Sequence, residues 1–120
     1  MANFLIHIHT GQENPTKAAL GLLVAATAIK EGHHVDLFLA GDGVLLLSDD
    51  VLNTLEGKGT GKLQSHYEAI KQGGGRFHLS GMSAQARGMD ATALEGKPAG
   101  FAMPDVLIKL AASADVVLTY

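Results

Sequence analysis

Asn3-Phe4-Leu5-Ile6-His7-Ile8-His9-Thr10-Gly11 opens a pattern that Gly32-His33-His34-Val35-Asp36-Leu37-Phe38-Leu39-Ala40-Gly41-Asp42-Gly43 completes. Residues Asn3–His9 are a short apolar run broken only by histidines and ended by Thr10-Gly11, the mark of a buried strand opening into a loop. A helix is predicted from about Pro15 to Glu31, with Asn14 as its N-cap and Pro15 at its first position. Gly32 stops it. His34–Ala40 is the second strand, closed by the turn signal Gly41-Asp42-Gly43. A strand, a helix and a strand in that order make a parallel pair with a right-handed crossover.

Working outward, Val44–Leu47 reads as a helical turn and Ser48–Gly61 as a polar, irregular excursion. Lys62–Gln72 is helical, with Leu63, His66 or Tyr67, and Ile70 on one face, and Gly73-Gly74-Gly75 ends it. Arg76–Leu79 is a third strand, followed by Ser80-Gly81-Met82-Ser83, where Ser83 is the expected cap of a short helix through Arg87. Met89–Ala102 reads as loop because of Gly96, Pro98 and Gly100. Pro104 starts a helix through Ala114, and Asp115–Leu118 is a last strand. The order β-α-β-α-α-β-α-α-β predicts an α/β fold: one domain over 1–120, its mostly parallel sheet covered on both faces. On the first helix, Lys17, Thr27, Lys30 and Glu31 leave an apolar surface wider than one sheet needs. That width points to a second apolar partner, another subunit, or else to alanines that tolerate exposure.

The 120 residues carry a net charge of −3, which gives no electrostatic reason for nucleic acid or an anionic membrane as partner. No apolar stretch is long enough for a membrane span, and the N-terminal run lacks the basic start of a signal peptide, so a cytoplasmic location is expected. There is no cysteine, which excludes disulfides, zinc–thiolate sites, thiol catalysis and persulfide carriage on the chain itself.

Three segments together carry a resemblance. Thr10-Gly11 with Pro15-Thr16-Lys17-Ala18 and Gly32–Val44 resembles the opening of DsrE/DsrF-like (YchN-like) proteins. Gly74-Gly75-Arg76-Phe77-His78-Leu79-Ser80-Gly81-Met82-Ser83-Ala84-Gln85-Ala86-Arg87-Gly88 resembles that family's third strand and following loop, and Ala114–Tyr120 its closing strand. The resemblance implies a three-layer α/β/α fold and assembly into a homo-oligomer, a trimer or hexamer. In the family's sulfur-relay subunits a cysteine just after the third strand accepts persulfide sulfur. Here Ser80 stands at or next to that position, and a hydroxyl forms no persulfide.

Ligands of parallel sheets bind beyond the carboxyl ends of the strands. The expected ligand-binding residues are therefore Thr10, Gly11, Thr16, Asp42, Ser80, Gly81, Met82, Ser83 and Arg87. Hydroxyls, backbone N–H groups and the start of the first helix suit a small anionic ligand, and Arg87 is the cation placed to pair with it. No cofactor is expected. His7, His9 and His78 would make a metal set if the first and third strands were neighbours; the plainer reading is histidines satisfied within the fold. Gly57-Lys58-Gly59-Thr60-Gly61-Lys62 is not a phosphate loop, because Leu63 stands where Ser or Thr belongs. The function expected is that of a non-catalytic oligomeric protein binding a small ligand or partner protein, linked to sulfur or redox metabolism. The alternatives are an enzyme using Ser80, His78 or Asp42, and a purely structural assembly subunit.

Overall fold

The computed structural model describes all residues, Met1–Tyr120. Along the chain run β1 (Asn3–Ile8), α1 (Pro15–Lys30), β2 (His34–Leu39), a 3-10 helix (Gly41–Leu47), α2 (Asp49–Thr54), β3 (Glu56–Gly57), β4 (Gly61–Lys62) and α3 (Leu63–Gln72). Then come β5 (Arg76–Ser80), α4 (Gly81–Ala86), a 3-10 turn (Ala91–Leu94), β6 (Ala99–Ala102), α5 (Pro104–Ser113) and β7 (Val116–Thr119). The five longer strands form one sheet in the order β6-β5-β2-β1-β7, every pairing parallel. This is the expected α/β architecture, with helices on both faces of a parallel sheet.

The helix starts follow from the sequence. Asn14 Oδ1 accepts the Lys17 N–H at 3.1 Å and Pro15 opens α1. From β1 through β2 and β5 to β6 the chain steps in one direction, and right-handed crossovers keep α1, α2 and α3 on one face. The return from β6 to β7 runs the other way, so α5 falls on the opposite face. The direction changes between β1 and β7.

The two faces differ sharply. Phe4, Ile6, Ile8, Val35, Leu37, Leu39, Phe77 and Leu79 point to the first face, and all but the partly buried Phe4 belong to a 22-residue buried cluster. By strand alternation the second face carries Leu5, His7, His34, Asp36, Phe38, Arg76, His78 and Ser80. Leu5 and Phe38 are its only fully buried apolar strand residues, and both lie outside that cluster. A five-stranded sheet is roughly 24 Å wide and a helix about 10 Å across, so α5 alone covers less than half of this face. No residue of α5 is fully buried.

Several expectations are corrected. The 89–102 stretch read as loop contains the 3-10 turn and edge strand β6. Pro98 is tolerated because it precedes the strand and offers only its carbonyl, which accepts the Phe77 N–H at 2.9 Å. The excursion after Ser48 contains α2 and the β3–β4 ribbon. The short helix after β5 begins at Gly81, so Ser80, not Ser83, is its N-cap. The apolar surface of α1 packs in part on α3 and the β3–β4 ribbon, and Leu23 and Val24 stay partly exposed. In the third helix Tyr67, not His66, is the buried member of the pair.

Candidate functional site

At the carboxyl ends of the strands, the loop after β1, the 3-10 helix after β2 and α4 after β5 meet. Ser80 Oγ accepts the Ser83 N–H at 3.2 Å, capping α4. Ser83 Oγ in turn accepts the Gly41 N–H at 2.9 Å. Arg87 Nε donates to Asp42 Oδ1 at 3.0 Å, and its Nη1 donates to the Ser83 carbonyl at 3.2 Å. Thr10 is buried, 6% exposed. Gly11 packs on the backbone of Asp42. Of the residues expected to bind a ligand, Thr10, Gly11, Asp42, Ser80, Ser83 and Arg87 thus come together around the strand ends.

Their polar atoms largely serve one another. Ser80 and Ser83 accept backbone N–H groups, and the Asp42 and Arg87 charges pair with each other, half and one-third exposed. An exposed ion pair of this kind contributes little stability; its effect here is to occupy the one cation. Thr16 lies elsewhere: its hydroxyl accepts the Lys58 N–H at 3.0 Å and its carbonyl accepts from the Thr60 hydroxyl, so it holds the β3–β4 ribbon. Gly81 lies near Met103, and Met82 follows it at the surface. Met82 is 62% and Met103 50% exposed, and a side chain at Gly81 would begin 3.6 Å from the Met103 sulfur. Where the resemblance places a thiol, the chain therefore presents a hydroxyl that caps α4.

A second constellation lies on the second face of the sheet. His78 Nε2 donates to Asp36 Oδ1 at 2.9 Å, and His34 Nε2 to Asp36 Oδ2 at 2.9 Å. The His78 bond holds the Asp36 carboxyl below its ordinary range; burial opposes this, and His34 adds to it. His34 and Asp36 also border a cleft of about 140 Å³ with Asn3, Leu110 and Ser113, under the end of α5. Asp36 and His34 were not singled out from the sequence. The signal was there: in His34-Val35-Asp36-Leu37-Phe38-Leu39 the polar residues alternate with core residues, which puts them all on one face.

The histidines do not form the metal set. β2 lies between β1 and β5, and in register His7 faces Phe38, which faces His78. His78 is taken by Asp36, and no three His, Asp or Glu side chains are grouped to hold an ion. His78 is oriented by a carboxylate and lies two residues before Ser80 on the same face, but no hydrogen bond joins it to Ser80, whose oxygen serves α4. The elements of a nucleophile–base pair are therefore present without the contact that would activate the hydroxyl.

Comparisons with known proteins agree with this architecture. The chain is similar to the crystal structure of the ychN protein from E. coli, with 20% identity, full coverage of both chains and a TM-score of 0.81. It is also similar to BT1422 from Bacteroides thetaiotaomicron, a conserved protein of unknown function, at 15% identity, 99% and 95% coverage and a TM-score of 0.69. A third is MTH1491 from Methanobacterium thermoautotrophicum, also of unknown function, at 16% identity, full coverage of both chains and a TM-score of 0.69. At these identities the likeness concerns the fold. No curated protein matches. No helix is long and apolar enough to cross a membrane. The sequence model of the DsrE/DsrF-like family matches residues 2–120, and the chain belongs to that family.

Proposed function

We propose that the protein is a non-catalytic, oligomeric member of the family that works by assembling and by binding a partner protein, in a context of sulfur or redox metabolism. One observation carries the assembly: the second face of the sheet is closed by α5 alone, and that helix buries no residue completely in a single chain. Ile108 on α5 is 66% exposed and Val117 on β7 is 45% exposed, both on that side. Large apolar side chains left in water over a half-covered sheet favour a second protein surface.

At the strand ends a partner protein fits better than a small anion. The hydroxyls and the arginine that an anion would need are engaged, whereas Met82 and Met103 offer adaptable apolar contact. The link to sulfur chemistry comes from the family, and the absence of cysteine removes relay by the chain's own side chains.

Size-exclusion chromatography with light scattering is expected to show a trimer or hexamer at micromolar concentration. Ile108→Glu is expected to shift the protein toward monomer while its circular dichroism spectrum and cooperative unfolding are retained, with the melting temperature lowered only by the lost assembly. A monomeric wild-type protein would overturn the assembly reading. A second test bears on the strand end: Ser80→Cys is expected to gain one sulfur atom from a persulfide donor by mass spectrometry. No gain would mean that this position no longer has relay geometry.

A further inference from the structure

Four of the six histidines commit a ring nitrogen to the fold. His33 Nδ1 accepts the Ala2 N–H at 2.9 Å, His66 Nε2 donates to the Thr60 carbonyl at 2.7 Å, and His34 and His78 both bond Asp36. His7 and His9 are the remaining two, and they stand together. β1 ends at Ile8, but the His9 N–H still bonds the Tyr120 carbonyl at 3.1 Å, so extended pairing runs on and both side chains leave the same face. Their ring centres are 5.4 Å apart with the planes at 83°. Phe38 meets the His7 ring edge-on at 5.9 Å. His7 Nε2 is buried with no hydrogen-bond partner, whereas His9 is exposed. A ring nitrogen left unpaired in this way costs stability until something bonds it.

We propose that His7 and His9 form a two-histidine chelate for a divalent ion that prefers imidazole, such as Zn²⁺, Ni²⁺ or Cu²⁺, with water completing the coordination. The spacing suits it. Two imidazole nitrogens, each about 2.1 Å from one tetrahedral ion, put their ring centres about 5 Å apart. Exposed, His9 is free to turn its ring toward the ion, while Phe38 limits the His7 ring from the other side. The donor set selects the metal. The residues in register with His7 are Phe38 and Thr119, and neither is a carboxylate, so ions that demand several oxygen ligands are poorly served. A ligating imidazole must be neutral; burial first and His9 second favour that form of His7. His78 lies beyond Phe38 on Asp36, and no third His, Asp or Glu joins the pair. Structural zinc sites use four protein ligands. With two, this site exchanges its ion and does not hold the fold together.

Isothermal titration calorimetry of the full chain, purified without a histidine tag, with Zn²⁺ at pH 7.5 tests this. One ion per chain is expected to bind, and Mg²⁺ under the same conditions is expected not to. His7→Gln and His9→Gln are each expected to weaken Zn²⁺ binding at least about tenfold, since losing even an outer-shell partner costs that much. His34→Gln, on the same face but bonded to Asp36, is expected to bind as the wild type does. His9 is exposed, so its variant keeps the question open to test even where His7→Gln disturbs the packing. Three outcomes overturn the chelate: no Zn²⁺ binding by the wild type, undiminished binding by His9→Gln, or a loss in His34→Gln as large as that in His9→Gln. Both ligands come from one chain, so a protein found monomeric by light scattering would overturn the assembly reading and leave this one standing.

Discussion

Gly43→Ala is expected to destabilise the protein by about 3 kcal/mol, at the upper end of what overpacking costs, and Gly11→Ala to do comparable damage. A Cβ at Gly43 would stand 2.5 Å from the Ile8 carbonyl oxygen and 3.1 Å from its carbon. At Gly11 it would overlap the Asp42 carbonyl oxygen and lie 2.9 Å from the Asp42 carbon. Both collisions are with backbone, which has no rotamer to retreat into. Gly43 lies in the 3-10 helix after β2 and Gly11 in the loop after β1, so each change separates the same two segments at the strand ends. Urea denaturation measures the effect, as a lower midpoint with an unchanged slope. Gly59→Ala is the control. Its surroundings are open, so only the cost of its positive φ of 77° remains. If Gly43→Ala proved no worse than Gly59→Ala, the close approach of these segments would not matter to stability.

The strand ends were legible as a place because the sequence marks them with Thr10-Gly11, Gly41-Asp42-Gly43 and Ser80-Gly81-Met82-Ser83. The use made of those residues was not. Glycine at a strand end signals close approach, and whether the visitor is a ligand or another backbone depends on tertiary distance. At Gly11 and Gly43 it is backbone. Ser80 and Ser83 exchanged roles for a similar reason: either hydroxyl caps a helix, and the choice turned on α4 starting at Gly81, three residues before Ala84. β6 was hidden by Pro98 and Gly100, residues that argue against a central strand but are tolerated at an edge. The separation of His7 from His78 depended on strand order, which no local pattern contains. β2 is legible as a strand, whereas its place between β1 and β5 is set only by the folded sheet.

Removal of Asp36 tests the second face from the side opposite to His7. Asp36→Ala is expected to cost about 2 kcal/mol, chiefly through the hydrogen bond from His78 to an ionised acceptor. His78 and Asp36 are only 17% and 18% exposed, whereas His34 is 49% exposed and contributes less. Truncation would leave the His78 N–H without its acceptor in a mostly enclosed position. The pH dependence has its own window. The Asp36 pKa is lowered in the folded protein, first by His78, so its contribution is complete above the unfolded carboxyl value near 3.9 and is lost as pH falls from there through the lowered folded value. His7 acts above that window, because burial lowers its imidazole pKa in the folded protein and the folded state is weakened as soon as pH drops below about 6.5. Stability of the wild type followed from pH 7.5 to 2.5 should thus fall in two steps. Asp36→Ala should retain the upper step and lose most of the lower, and His7→Gln should do the reverse. If both variants flattened the same step, the two groups would titrate as one unit, and the separation of the Asp36 pair from His7 across Phe38 would have no energetic consequence.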